Sequence, residues 1–202
     1  MSAYVVGLTG QTGAGKTTVS NIFSQCGFYI INCDIIARKV TEDGSDTARE
    51  LEKGFPDFFD NGCLNRRQAA KMLFSDRELL DRYNAAIFPM INRLIEQNIK
   101  AAEEKGYRFV LLDAPTLFEA GADRLCNAVV SCTADTDKRI KRITERDGLT
   151  EEEAIARIKS QHSEDFFRDH SDYLIENNKT KEELAAAAFT AAKTIKERYN
   201  GK

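Results

Sequence analysis

The sequence predicts an α/β three-layer fold with about five parallel strands, and three observations lead there. Short apolar, β-rich runs alternate with longer stretches of helical periodicity. The first two runs are separated by a single helix, the signature of a β-α-β unit and therefore of parallel pairing. The first run ends in a glycine-rich loop, the usual entry to a helix that follows a buried strand.

Taken in order, residues 4–9 form the first strand, and Val19, Ile22, Phe23 and Cys26 recur at helical spacing after Lys16. Residues 28–31 return as the second strand, whose carboxyl end carries Asn32, Cys33 and Asp34. Residues 35–105 read as helical almost throughout, interrupted at Gly44, at Gly54 to Pro56, at Asn61 and Gly62, and at Pro89; Ser75 with Glu78 fits a capping box that starts a helix. So long a stretch without an obvious strand exceeds what a crossover needs, so a helical lobe over the sheet edge is expected. Residues 109–113 and 128–131 are the next strands, both central. A charged helical stretch follows from Thr133 to Gln161, broken at Gly148 and restarted by a Thr150 to Glu153 capping box. Residues 173–175 form a last short strand. The final helix places Leu184, Ala188, Ala191, Ile195 and Tyr199 on one face.

A length of 202 residues supports one core with an inserted lobe and not two independent domains. With 42% hydrophobic and 30% charged residues the chain has the composition of a folded globular domain. The net charge of -3 gives no global attraction to nucleic acid or an anionic membrane, so an anion must be bound locally. Cys26, Cys33, Cys63, Cys126 and Cys132 are odd in number and form no C-x-x-C pair, and only two histidines accompany them. That argues against a disulfide framework or a zinc cage and for small buried side chains in a reducing compartment. No stretch reads as a membrane span or signal peptide, and a cytoplasmic protein with no obligate protein partner is expected.

Gly10-Gln-Thr-Gly13-Ala-Gly15-Lys16-Thr17 satisfies G-x-x-x-x-G-K-[ST] between a predicted strand and a predicted helix. Glycines let backbone N–H groups turn around phosphate oxygens, and the helix N-terminus adds its positive end. In this motif Lys16 reaches the β- and γ-phosphates and Thr17 ligates Mg²⁺. A dinucleotide fingerprint starting at Gly13 fails because it requires glycine at Thr18, and no guanine-recognition string is present. Asp113 closes an apolar run as a Mg²⁺-binding carboxylate does. Asp34, at a strand end, is open to two readings: a site carboxylate, or the N-cap of the helix beginning at Ile35. Lys138, Arg139, Lys141, Arg142 and Arg146 read either as a solvated helix face or as a mobile cationic helix that neutralises phosphoryl charge, with Arg142 and Arg146 sharing one face. His162 and His170 read as exposed or satisfied.

The chain resembles the dephospho-coenzyme A kinase family of P-loop kinases over nearly its whole length. The resemblance is carried by Gly7-Leu-Thr-Gly10 leading into the phosphate loop, by Ile31-Asn-Cys-Asp34-Ile-Ile-Ala-Arg38, by Leu112-Asp-Ala-Pro115-Thr-Leu-Phe118-Glu119, and by the later order of Arg142 to Arg146, Arg157 to Gln161 and Asp172 to Asn177. It implies a P-loop kinase fold with a nucleotide core at 1–34, 106–136 and 170–202, a helical substrate lobe at about 35–105 and an arginine-bearing lid at about 137–165. It implies ATP and Mg²⁺, with Thr12, Gly13, Ala14, Gly15, Lys16, Thr17, Thr18, Arg142 and Asn177 on the nucleotide and Thr17 and Asp113 on the metal. Asp34 is implied as catalytic base, with Lys16, Arg142 and Arg146 completing the catalytic set. Thr9, Asp34, Arg38, Asp113, Pro115, Leu117 and Glu119 are implied to hold a small-molecule acceptor, dephospho-coenzyme A. The sequence departs from the family pattern at Asn32, at Phe88 before Pro89, and at Thr116. A nucleoside or nucleotide kinase of the same fold, and a nucleotide-gated regulatory protein, stay open as alternatives.

Overall fold

The structure is a computed structural model and describes residues 2–200. Residues 1, 201 and 202, at the ends of the expected core segments, lie outside it.

Five parallel strands form the central sheet: β1 (Tyr4–Gly10), β2 (Tyr29–Asn32), β5 (Phe109–Asp113), β6 (Ala128–Thr133) and β7 (Tyr173–Glu176), in the order β2-β5-β1-β6-β7. Between β2 and β5 the chain forms α2 (Cys33–Val40), α3 (Asp46–Gly54), a hairpin of β3 (Phe59–Asp60) and β4 (Cys63–Leu64), α4 (Arg66–Ser75) and α5 (Arg77–Glu104). The remaining helices are α1 (Lys16–Gln25), α6 (Thr136–Asp147), α7 (Glu151–Lys159), α8 (Glu164–Asp169) and α9 (Lys181–Asn200).

Alternation along β5 explains the three layers. Phe109 and Leu111 join Phe23 of α1 and Ile195 of α9 on one face, while Val110 and Leu112 join Ile91 and Ile95 of α5 on the other. A strand apolar at four successive positions, as β5 is up to Asp113, is satisfied by helices on both faces, which is the situation of a parallel sheet. Each fully buried large side chain contributes about 1.5–3 kcal/mol. β1 lies at the middle, with β5 and β6 on either side, as expected for both. The connections from β1 run first toward β2 and later toward β6, so the order reverses at β1, and such a reversal opens a crevice at the carboxyl ends of the strands.

Three sequence expectations are corrected. The stretch 35–105 does contain strands: Asn61 (φ 51) and Gly62 (φ 80) both adopt the left-handed conformation and close the β3–β4 hairpin. Asn-Gly is the residue pair such a two-residue turn requires, and reading it as a helix interruption overlooked the hairpin signal. Pro89 does not interrupt α5, which runs 28 residues through it; packing of Ile87, Met90, Ile91 and Ile95 outweighs the one hydrogen bond that proline removes. Ser75 ends α4 instead of capping α5, whose N-cap is Asp76, accepting from Leu79 N at 3.0 Å. The Thr150 to Glu153 capping box forms as expected.

All five cysteines are free, but only Cys33 and Cys132 are buried and Cys63 is exposed. The expectation of uniformly buried cysteines fails there because Cys63 opens β4, on a surface hairpin. Among the described residues no helix is long and apolar enough to cross a membrane, and no group of three or more His, Cys, Asp or Glu is placed to hold a metal.

The cap of α2 is Asn32, whose Oδ1 accepts from Ile35 N at 3.0 Å; Asp34 lies inside the first turn. Replacing Asn32 with Ala is therefore expected to lower stability by about 1 kcal/mol in urea unfolding, whereas Asp34→Ala should cost clearly less.

Candidate active site

The glycine loop joins β1 to α1 in the conformation that presents N–H groups. Gly15, the N-cap of α1, has φ 101 and offers no side-chain cap. The N–H groups of Gly13 and Gly15, and those of Lys16 and Thr17 in the first helical turn, are thus left without a protein acceptor among the described residues. A side chain at Gly15 would strike Asn177 Nδ2, so the residue is needed for close approach as well as for its backbone angle.

Amides that point inward force carbonyls outward, and each outward carbonyl has a donor. Arg139 Nε donates to Thr12 O at 2.9 Å, Arg142 Nη1 to Gly13 O at 3.1 Å, and Asn177 Nδ2 to Ala14 O at 2.7 Å. The other amino group of Arg142 donates to Asn177 O at 3.1 Å. Gln161 Oε1 accepts from Thr12 N at 2.8 Å, so Thr12 is held at both of its backbone polar groups. Arg139 is 3% exposed. Burial pulls its guanidinium below the ordinary arginine value, and Glu164 partly offsets this.

Lys16 Nζ lies 3.2 Å from Asp113 Oδ1. The sheet register makes this contact: Asp113 stands opposite Leu8 of β1 and Asn32 of β2, so it sits between the phosphate loop and the start of α2. Asp34 follows two residues after Asn32 and is exposed. Beneath it lies a cavity of about 40 Å³ bounded by Cys33, Asp34, Ala114 and Thr116. Burial pushes the Cys33 thiol up to about 12, assisted by the charges of Asp113 and Asp34. Thr9 Oγ1 donates to Pro115 O at 3.3 Å and ties β1 to the loop after β5.

The structure thus brings Lys16, Thr17, Asp113, Asp34, Thr9 and Pro115 to one end of the sheet, with Thr12 to Thr18, Arg142 and Asn177 at the phosphate loop. Three expected residues are placed differently. Leu117 has no exposed surface and packs against Gly7, so it has none to offer an acceptor; it anchors the loop that bears Pro115. Glu119 lies 3.6 Å from His162 Nε2, and His162 stacks on Phe166 at 3.8 Å. Arg146 is turned to Asp147, donating at 2.7 and 2.8 Å, and Arg157 reaches the same carboxylate at 2.6 Å. Those hydrogen bonds, Arg146 first, hold the Asp147 carboxyl down at about 2. The shared helical face of Arg142 and Arg146 does not bring them together, because Asp147 is a nearer partner for Arg146 than the loop.

Arg139 and Gln161 were missed as site residues. The only sequence signals were the basic run, in which Arg139 looked like any other cation, and the place of Gln161 after the second capping box. Thr17 Oγ1 and the free oxygen of Asp113 are hard oxygen donors few in number, a set that suits Mg²⁺, which draws its other ligands from water and phosphate.

The sequence profile of the dephospho-CoA kinase family matches residues 4–183. The chain belongs to the dephospho-CoA kinase family. Among dephospho-CoA kinases it is 36% identical over 186 residues to that of Corynebacterium diphtheriae, with 91% of this chain and 93% of the relative covered. It is 33% identical over 187 residues to that of Listeria innocua, covering 92% and 94%. The crystal structure of TT1252 from Thermus thermophilus superposes with a TM-score of 0.83 at 29% identity, covering 96% of this chain and 98% of that one. A dephospho-CoA kinase from Campylobacter jejuni shares the fold at a TM-score of 0.71 and 24% identity, covering 96% and 98%. As a member of the dephospho-CoA kinase family the protein is a phosphotransferase with an alcohol acceptor.

Arg142 already grips the loop, and this alters what its removal should do. Arg142→Ala is expected to raise the KM for the donor nucleotide as well as lower kcat, by roughly tenfold or more in each, because a carbonyl of the loop loses a charged donor. Gln161→Ala should raise the KM for the donor nucleotide by a smaller factor, with Gln161→Glu near the parent since a carboxylate oxygen can accept from Thr12 N. Steady-state kinetics with the nucleotide varied at saturating acceptor decides both cases, and an unchanged KM in both alanine variants would remove the clamp.

Proposed function

We propose that the protein transfers the γ-phosphoryl group of ATP to the 3′-hydroxyl of dephospho-coenzyme A, giving coenzyme A and ADP, the last step of coenzyme A synthesis. The observation that carries this reading is the placement, at one end of the sheet, of the unclaimed N–H groups and Lys16 of the phosphate loop and, one strand away, the exposed carboxylate of Asp34 at the end of β2.

In this reading the inward N–H groups and Lys16 hold the β- and γ-phosphates, and Lys16 exchanges its contact with Asp113 for phosphate oxygens as the nucleotide enters. Asp34 orients the acceptor hydroxyl and accepts its proton. The bond from O3′ to the γ-phosphorus forms as the bond from that phosphorus to the β,γ-bridging oxygen breaks, and ADP leaves with the electron pair. With a loose transition state the proton moves late, so the carboxylate needs position more than a raised pKa. Arg142, joined to both the loop and Asn177, keeps positive charge beside the transferring group. Thr17 and Asp113 would hold Mg²⁺, which would supply positive charge against the phosphates of the nucleotide. Residues 35–105 serve as the acceptor lobe and 137–165 as a lid over the nucleotide. The reactants are small molecules, which fits a cytoplasmic enzyme that needs neither nucleic acid nor a membrane nor an obligate protein partner.

Turnover of dephospho-coenzyme A with ATP and Mg²⁺, set beside a panel of nucleosides and nucleotides, tests the assignment; a preference for any nucleoside would overturn it. Two variants test the roles. Asp34→Asn should lower kcat by about 10²- to 10⁴-fold with ATP affinity little changed, since asparagine cannot take the proton. Lys16→Ala should lower kcat by at least about a hundredfold in a protein that remains folded by circular dichroism. Turnover of Asp34→Asn within about tenfold of the parent would end the assignment of Asp34 as base.

A further inference from the structure

An open cavity of about 440 Å³ lies between α2, the β3–β4 hairpin and the start of α4. Ile35 and Leu64 give it apolar surface, and Arg38 and Arg66 give it charge. Folding alone does not account for Arg66. It is the first residue of α4, it is followed by Arg67, and the first turn of that helix has no acidic residue. Two cations at the positive end of a helix oppose its dipole, the reverse of the arrangement that stabilises a helix start. Departures of this kind from local rules mark binding sites more often than they mark folding determinants.

The guanidinium is also held in place. Arg66 Nη2 donates to Thr41 Oγ1 at 2.7 Å, and Thr41, which is buried, has the carbonyl oxygens of Arg38 and Ala37 at 3.2 and 3.4 Å to receive its single hydrogen. With that hydrogen committed to α2, the lone pairs of the hydroxyl fix the arginine. Among the described residues no carboxylate lies within 4.0 Å of Arg66 or Arg38. Glu42 and Asp43 also line the cavity but pair with neither. An oriented arginine with unclaimed donors facing a cavity is a receptor for a phosphate, whose geometry matches the guanidinium fork.

Asp34 says which phosphate. Arg38 is four residues further along α2, so the two side chains share a face and are separated by about 6 Å of helical rise. An acceptor with its 3′-hydroxyl at Asp34 carries its 5′-phosphates on the far side of the same ribose, a comparable span away. We infer that this cavity takes the diphosphate of the acceptor, that Arg66 is the residue selecting for it with Arg38 as second donor, and that Ile35 and Leu64 receive the start of the arm beyond. This rests on the acceptor proposed above.

The test compares the parent with Arg66→Ala and Arg66→Lys. For Arg66→Ala the KM and the calorimetric Kd for dephospho-coenzyme A should rise about tenfold or more, with the KM for ATP and the melting temperature unchanged and kcat at saturation within about threefold. Arg66→Lys should recover part of the affinity, as a point charge without the fork does. Unchanged KM and Kd in Arg66→Ala, or an equal rise in the KM for ATP, would overturn the assignment. A parent that binds dephospho-coenzyme A without phosphorylating it would count against the proposed reaction and leave the Kd comparison standing. A parent that does not bind it would remove both.

Discussion

A backbone that turns its amides inward around an anion must turn its carbonyls out, and in this protein the outward carbonyls of Thr12, Gly13 and Ala14 are where the rest of the structure attaches. Arg139, Arg142 and Asn177 each satisfy one of them, from α6 and from the end of β7. A buried carbonyl without a donor costs about 1–3 kcal/mol, enough to let a glycine-rich loop relax into a shape with its amides satisfied internally. The clamp removes that alternative. It also explains a buried arginine: desolvating the Arg139 guanidinium is costly, and the carbonyl of Thr12 together with Gln161 Oε1, 3.5 Å from its Nη2, returns polar partners. The helix that supplies the arginines is therefore joined to the loop before any nucleotide arrives, and motion of this region must carry the loop with it or break these bonds.

Sheet order does the corresponding work on the acceptor side. Because β5 lies between β1 and β2, its terminal Asp113 is in register with both, and Lys16 can reach it from the first turn of α1. The inserted strand sets Asp34 one strand away from the loop, the arrangement on which the proposed meeting of hydroxyl and phosphoryl group relies.

How much of this the sequence displayed depended on whether a property is local. The glycine loop, the five strands, the second capping box and the face of α9 follow from spacing within short windows, and each was readable. Leu117 and Glu119 were drawn into the acceptor site by the motif around them, but a motif does not say which way its side chains face: Leu117 goes to the core, and Glu119 to His162. In the basic run Arg142 was singled out and Arg139 passed over, and only the fold shows Arg139 buried and Arg142 half-exposed. Gln161 meets Thr12 across 149 positions of chain, a relation no window can contain. The hairpin at Asn61 and Gly62 is a different case, since its signal was present and the surrounding helical periodicity outweighed it.

Asn32 and Asp34 show how neighbouring residues divide two tasks that sequence alone left merged. Either could have capped α2; the structure gives the cap to Asn32, which frees Asp34 of a backbone partner. The other groups at this end of the sheet able to take a proton are each committed. Asp113 is tied to Lys16 and, in the proposed reaction, is taken by the metal when Lys16 turns to phosphate; Glu119 faces His162, and the Cys33 thiol, pushed up to about 12 by burial, stays protonated at neutral pH and cannot accept. Among the described residues, Asp34 alone combines exposure, freedom from a salt bridge and a place at the end of β2, one strand from the phosphate loop. An aspartate cap at Asn32 would have been as good for the helix, but it would have set a second carboxylate opposite Asp113 in the β2–β5 register. Like charges that close raise each other's pKa and repel an incoming nucleotide. Asparagine keeps the hydrogen bond that starts α2 and omits the charge, and the chemistry proposed for this strand end then falls to one carboxylate.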